Sequence, residues 1–151
     1  FYKDVGRYPA RSSAGTDNVV YSLLTGPTLP TTSPWVGGHN WITWGMSSAR
    51  GDLLDNHLLR NTPQNAAGAA YAITGTNRWR GPYVAGSTPV DPWGRPYVIN
   101  VISGHNTGAT NYKRLWVISA GANGRFDTPA AATAITEISG DDIGLLLTQR
   151  P

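Results

Sequence analysis

The chain has 151 residues with 12 Lys and Arg against 9 Asp and Glu, a formal charge of +3, and only 14% charged residues, below the roughly 25% of an ordinary soluble domain. It contains no cysteine, which excludes disulfides, thiolate metal sites and cysteine nucleophiles. The basic residues are scattered, with only Lys113 and Arg114 adjacent, so no basic patch marks a nucleic-acid partner, and no run of ~18 apolar residues or signal-peptide pattern is present.

With 40% apolar residues the chain reads as a single domain, 1–151, able to bury roughly two-thirds of its unfolded surface. Residues 1–26 are predicted to hold a helix stub and a short helix, 27–77 a variable Trp-rich excursion, and 78–151 a β-sheet with a C-terminal loop. Residues 1–5 read as the end of a helix, closed by Gly6 with Pro9 beyond it. The chain opens in what looks like the middle of an element, which implies a segment upstream of Phe1. Thr16 or Asp17 caps the expected second helix, whose Val20, Leu23 and Leu24 fall on one stripe ending at Gly26-Pro27.

Within the Trp-rich tract, Asp52 to Leu59 forms a helical island with Leu54, Leu58 and Leu59 on one face and its acids early, where the helix dipole favours them. Trp35, Trp41 and Trp44 argue that the tract packs onto the body, since disordered segments are poor in aromatics. Asp91-Pro92-Trp93-Gly94 reads as a β-turn, with Trp93 buried beside the strand that follows. Tyr97–Ile102 and Lys113–Ser119 are predicted strands, paired antiparallel across a Ser103–Asn111 hairpin loop, and Ile143–Leu147 a third. Trp79, Trp93 and Trp116 flank these strands and are assigned to the core.

No catalytic signature is legible. No serine sits in G-x-S-x-G, and His39, His57 and His105 have no metal spacing. Asp52, Asp55 and His57 do not share a helical face, so the reading there is a capped, solvated helix start. The chemical signal lies instead at the ends of the Ala120–Gly140 loop. Asn123, Asp127, Asp141 and Asp142 offer hard oxygen donors among glycines that let backbone carbonyls turn inward, which suits calcium; ordinary turn formation accounts for the same residues equally well.

Taken in order, Asp4-Val5-Gly6-Arg7-Tyr8-Pro9, Trp79-Arg80-Gly81-Pro82-Tyr83, Asp91 to Tyr97, Ser119 to Gly124 and Gly140-Asp141-Asp142-Ile143 resemble the major pseudopilin of bacterial type II secretion systems. The resemblance spans the chain except about residues 28–77. It implies an α+β, pilin-like fold: an N-terminal helical spine, here a remnant, packed on a small antiparallel β-sheet with long loops. It further implies a non-enzymatic subunit, anchored in the inner membrane of a Gram-negative bacterium by an upstream hydrophobic helix that is cut and N-methylated. The globular domain would face the periplasm.

Its expected partners are further copies of itself, other pseudopilins, inner-membrane secretion components and the exported proteins that the filament pushes through an outer-membrane secretin. The resemblance implies a calcium site in which the family's paired aspartates fall on Asp141 and Asp142, whereas a third family aspartate falls on Asn123. The 124–140 loop is longer than the family's, and the tract 33–77 has no place in its pattern. A minor pseudopilin, a type IV pilin or a Trp-rich periplasmic binding module are the alternatives.

Overall fold

A computed structural model describes residues 1–37, 50–105, 114–129 and 138–149 of the chain. In chain order these form α1 (Tyr2–Val5), β1 (Ser22–Leu24), β2 (Gly51–Leu53), α2 (Leu54–Leu58), two 3-10 turns at Pro63–Asn65 and Ala67–Ala69, β3 (Val98–Ile99), α3 (Ile102–His105), β4 (Arg114–Ser119) and β5 (Ile143–Gln149). The strands make one sheet in the order β2-β1-β3-β4-β5. β1 and β2 run parallel while the other neighbours are antiparallel, so the α+β domain carries a mixed sheet and not a purely antiparallel one.

Two apolar layers cover the two faces of this sheet, and the strands feed them alternately because successive side chains point to opposite sides. Leu24, Val98, Trp116 and Ile118 join Trp35, Leu53 and Phe126 on one side. Leu23, Ile99 and Leu115 join Ala10, Val20 and Val101 on the other, with Tyr8 and Leu54 packed against them. β5 is an edge strand, and one of its faces is bare: Ile143, Leu145 and Leu147 are 55%, 63% and 54% exposed.

Three expected elements hold. α1 ends at Gly6 in the left-handed conformation, φ 74°, as the Gly stop signal implies. β4 and β5 lie where two of the strands were expected, and they pair antiparallel from Arg114↔Gln149 to Ser119↔Ile143 with a register shift between Leu115 and Trp116. Asp91 opens a turn in which Gly94 N donates to Asp91 O at 2.9 Å and Gly94 takes φ 81°.

Other expectations are corrected. The stretch from Thr16 to Leu24 is not a helix: Asn18 has φ 63°, and Ser22–Leu24 is a strand buried on both faces. Val20, Leu23 and Leu24 fit a helical stripe, but Leu23 and Leu24 serve opposite layers, which only a strand allows. The predicted strand Tyr97–Ile102 shrinks to Val98–Ile99, because Ile102 begins α3. Trp93 is 42% exposed and so is no core residue, whereas Trp116 and Trp35 are buried and Trp79 is half-buried.

The Trp-rich tract does reach the body, with Trp35 against Phe126 at 5.5 Å between ring centroids. His39, Trp41, Trp44, most of the Ser103–Asn111 loop, Lys113 and residues 130–137 lie outside the described residues. No helix among the described residues is long and apolar enough to cross a membrane.

Candidate functional site

The acidic loop is held in place from the β3–β4 side. Buried Asp91 accepts from Trp93 N and Arg95 N through Oδ1, at 3.0 and 2.8 Å, and from Ser119 Oγ through Oδ2 at 2.6 Å. The same turn sends Arg95 Nη1 to Gly121 O at 3.0 Å. The loop then closes on itself through two left-handed glycines. A β-carbon on Gly121 would stand 2.1 Å from Asp141 O, and one on Gly140 2.2 Å from Asp127 Oδ2, so only glycine permits this approach.

Of the four expected oxygen donors, Asn123 contacts Asp127 and Asp141, while Asp142 is held through Thr128. Asn123 links two of the acids: its N donates to Asp141 Oδ2 at 2.8 Å and its Nδ2 to Asp127 Oδ2 at 3.1 Å. Its own Oδ1 accepts from Arg125 N at 2.6 Å, and Arg125 Nε lies 3.4 Å from Asp127 Oδ1. Asp142 Oδ2 accepts from Thr128 N at 2.7 Å, while Thr128 Oγ1 accepts from Ser139 N at 2.9 Å.

Asp142 is the most constrained member. It is 8% exposed, and its Oδ1 is buried with no hydrogen-bond partner. Burial raises its carboxyl above the ordinary value, hydrogen bonds from Thr128 and from the Asp127 backbone oppose that rise, and the negative charge of Asp127 adds to it. A buried carboxylate beside a second carboxylate is costly unless donors or a cation meet it, and here backbone and hydroxyl donors of Asp127 and Thr128 do so in part. Among the described residues no three His, Cys, Asp or Glu side chains gather closely enough to hold a metal ion. The donor set therefore suits calcium only as two carboxylates supplemented by amide and carbonyl oxygens.

A second polar cluster sits where a solvated helix start was expected. Asp52, Asp55 and His57 are all fully buried, and His57 Nε2 stands 2.9 Å from Asp52 Oδ2 although the two are five positions apart. Asp52 belongs to β2, not to the helix, so helical spacing does not govern the pair. Its Oδ1 accepts from Leu53 N at 2.7 Å and Asn56 Nδ2 at 2.6 Å, and its Oδ2 from Gln64 N at 2.6 Å. The other His57 nitrogen meets the Tyr71 hydroxyl at 2.7 Å.

Asp55 is likewise spent on structure, accepting from Ser87 Oγ, Thr88 N and Thr88 Oγ1 at 2.6 to 2.9 Å. Every contact of this cluster is internal, and α2 packs its polar face inward while Leu54 and Leu58 are half-buried. The polar run Asp55-Asn56-His57 gave no sequence signal for this, because a buried polar face reads as a solvated one until its partners at Gln64, Tyr71 and Ser87 are known.

The third feature is apolar. A groove of about 260 Å³ opens beside α1, lined by Phe1, Tyr2, Leu23, Ile99, Val117 and Leu147 among others. It continues along the sheet face that carries exposed Leu145 and Ile143. The other described histidine, His105, is tied to Val20 O at 3.0 Å.

A family model described as type II secretion system (T2SS), protein G, matches residues 57–138, more than half of the chain. The match begins inside α2 and takes in residues 57–77, which the motif resemblance had left out; it stops short of Asp141 and Asp142. No curated protein and no solved structure matches the chain.

Proposed function

Because the chain belongs to the type II secretion system protein G family, we propose that it is a structural, non-catalytic subunit of a periplasmic pseudopilus. The filament would help drive folded proteins through an outer-membrane secretin, in contact with other pseudopilins, inner-membrane secretion components and the exported proteins. The observation that carries this reading beyond family membership is the apolar groove beside α1. A globular domain that leaves Leu145 and Leu147 more than half exposed next to an open apolar groove has a surface built to be covered. An apolar helix upstream of Phe1, anchored in the inner membrane, would cover it.

Calcium belongs to the same proposal. Asp127 and Asp142, with the Asn123 side-chain oxygen and backbone carbonyls of the loop, would hold it, and Asp141 would brace the loop through Asn123 N. Bound there, it would neutralise the buried carboxylate and brace β5 against the 120–129 loop, stabilising the fold by the mass-action term RT ln(1 + [L]/Kd).

Intact mass and N-terminal sequencing of the protein as made in its own cell test the proposal. Support would be a methylated N-terminal residue followed by about 20 apolar residues before Phe1, enough to span a bilayer. A chain released by ordinary secretory cleavage close to Phe1 would refute it.

A further inference from the structure

We propose that the outer edge of β5 is an interface with a second copy of this chain, the two strands pairing antiparallel about a two-fold axis at Leu145.

The sheet has two edges, and one of them is closed. On β2, Gln64 Nε2 donates to Gly51 O at 3.2 Å, and all three residues of the strand are buried. At β5, among the described residues, no backbone hydrogen bond reaches Ile143–Gln149 except from the ladder with β4. Every second residue of an antiparallel strand aims its N–H and C=O away from its one partner, so this edge offers donors and acceptors to a further strand.

The exposure of β5 has the pattern that a missing lateral neighbour leaves. Leu145, 63% exposed, lies on the groove side of the sheet opposite Val117, and Leu146, 38% exposed, lies on the other side opposite Trp116. An apolar helix seated in the groove covers the first face and leaves Leu146 bare. A strand added at the edge borders both faces.

The chemistry of the edge selects a second copy as its occupant. Residues 143–149 contain neither a charged residue nor a proline, two of the devices that keep sheet edges apart. The two ends of the strand carry opposite charge: exposed Asp141 precedes it, while Arg114 stands opposite Gln149 and Arg150 follows in sequence. Antiparallel self-pairing sets acid toward base at both ends, whereas parallel pairing sets acid beside acid. A two-fold axis perpendicular to the sheet keeps each face continuous, so Leu145 meets its own copy and Ile143 meets Leu147 of the second copy. The register shift against β4 makes Leu147 the extra residue of β5 and leaves Ile143–Leu146 as the regular stretch of edge. A contact this short buries less than the ~1,200 Å² of a stable interface, so the pairing is weak and concentration-dependent.

Sedimentation of the 1–151 chain at up to about 1 mM, where weak contacts show, and single-cysteine cross-linking test the proposal. The chain has no cysteine of its own, so Leu145→Cys can be oxidised without competing thiols. Opposed residues of an antiparallel pair have Cα atoms about 4.5–5.5 Å apart, within disulfide reach, and this variant should cross-link. Ile73→Cys, 69% exposed on a loop outside the sheet, should cross-link at least about tenfold more slowly.

Leu145→Lys and Leu145→Glu should each be monomeric, because the axis sets like charge against like charge, and an equimolar mixture of the two should associate again. A surface that takes only an apolar helix shows no such rescue. A chain that stays monomeric at the highest concentration, with Leu145→Cys no faster to cross-link than Ile73→Cys, overturns the proposal and leaves the edge to a different strand. Association that survives in Leu145→Lys, or that the mixture fails to restore, overturns it as well. The pairing needs no segment upstream of Phe1, so either failure leaves the filament reading standing.

Discussion

His57 Nε2 stands 2.9 Å from Asp52 Oδ2 with both side chains fully buried. The contact joins α2 to the end of β2, and through the Tyr71 hydroxyl at 2.7 Å from Nδ1 it reaches the loop that follows the 3-10 turns. Three separate pieces of the chain therefore meet at one imidazole. The 2.9 Å approach to Asp52 is off hydrogen-bond geometry and Asp52 Oδ2 keeps Gln64 N, so truncation would leave the buried Tyr71 phenol without its imidazole partner.

His57→Ala should accordingly lower the unfolding free energy by about 2 kcal/mol, the cost of leaving a buried polar group unsatisfied. Urea denaturation followed by tryptophan fluorescence measures it. A loss under about 1 kcal/mol would mean that the cluster relaxes or takes in water.

Tyr71 carries a pH prediction. Burial pushes its phenol well above the ordinary value. A pKa raised in the fold means that the neutral form is favoured there, so the stability it contributes is complete at neutral pH. That stability is lost as pH rises past the ordinary phenol range toward the folded value. In an alkaline ultraviolet titration of the seven tyrosines, one phenol should ionise only together with unfolding, and Tyr71→Phe should remove that component. Ionisation of all seven at the ordinary value with the fold intact would count against the buried placement.

Gly140 and Gly75 form a matched pair. Both have positive φ, +63° and +87°, but a β-carbon on Gly75 would meet nothing within 4 Å, whereas one on Gly140 would strike Asp127. Gly75→Ala should cost only the left-handed backbone term, about 1 kcal/mol. Gly140→Ala should cost at least about 1 kcal/mol more, because Asp127 must leave its place, and should weaken calcium binding with it. Equal costs in thermal melts would show that Asp127 does not rest on Gly140.

Leu145 and Leu147 separate folding from assembly. At 63% and 54% exposed, replacing both by Asp should change the stability of the isolated domain by less than about 0.5 kcal/mol per site. In a protein carrying the proposed upstream helix, the same change would place charge on the apolar face that the helix covers. Self-association should fall sharply while the melt of the isolated domain stays put.

What the sequence showed and what it hid follow from the range of the interactions. Gly6 as a helix stop, Asp91 as a turn opener and the β-branched and aromatic run ending at Ser119 act within a few residues, and each appears as expected. β2 was invisible because Gly51-Asp52-Leu53 has no strand character of its own; its order comes from parallel pairing with β1 across an intervening tract. β1 reads as helix because Val20, Leu23 and Leu24 fit the 3.6 period and show no alternation, and only the two-sided core selects the strand. In the candidate site, Asn123, Asp127, Asp141 and Asp142 were legible as oxygen donors beside glycines. Their contacts with one another were not, since those depend on how the loop folds back at Gly121 and Gly140.

The central claim is that this domain is a filament subunit, and assembly tests it most directly. The protein as made in its own cell, with the proposed upstream apolar helix, should be extracted from membranes in mild detergent, concentrated, sedimented and imaged by electron microscopy. Short pelletable filaments that vanish on replacing Leu145 and Leu147 by Asp, with the isolated domain still folded, are the expected result. A dispersed monomer at every concentration, indifferent to those substitutions, would contradict the account.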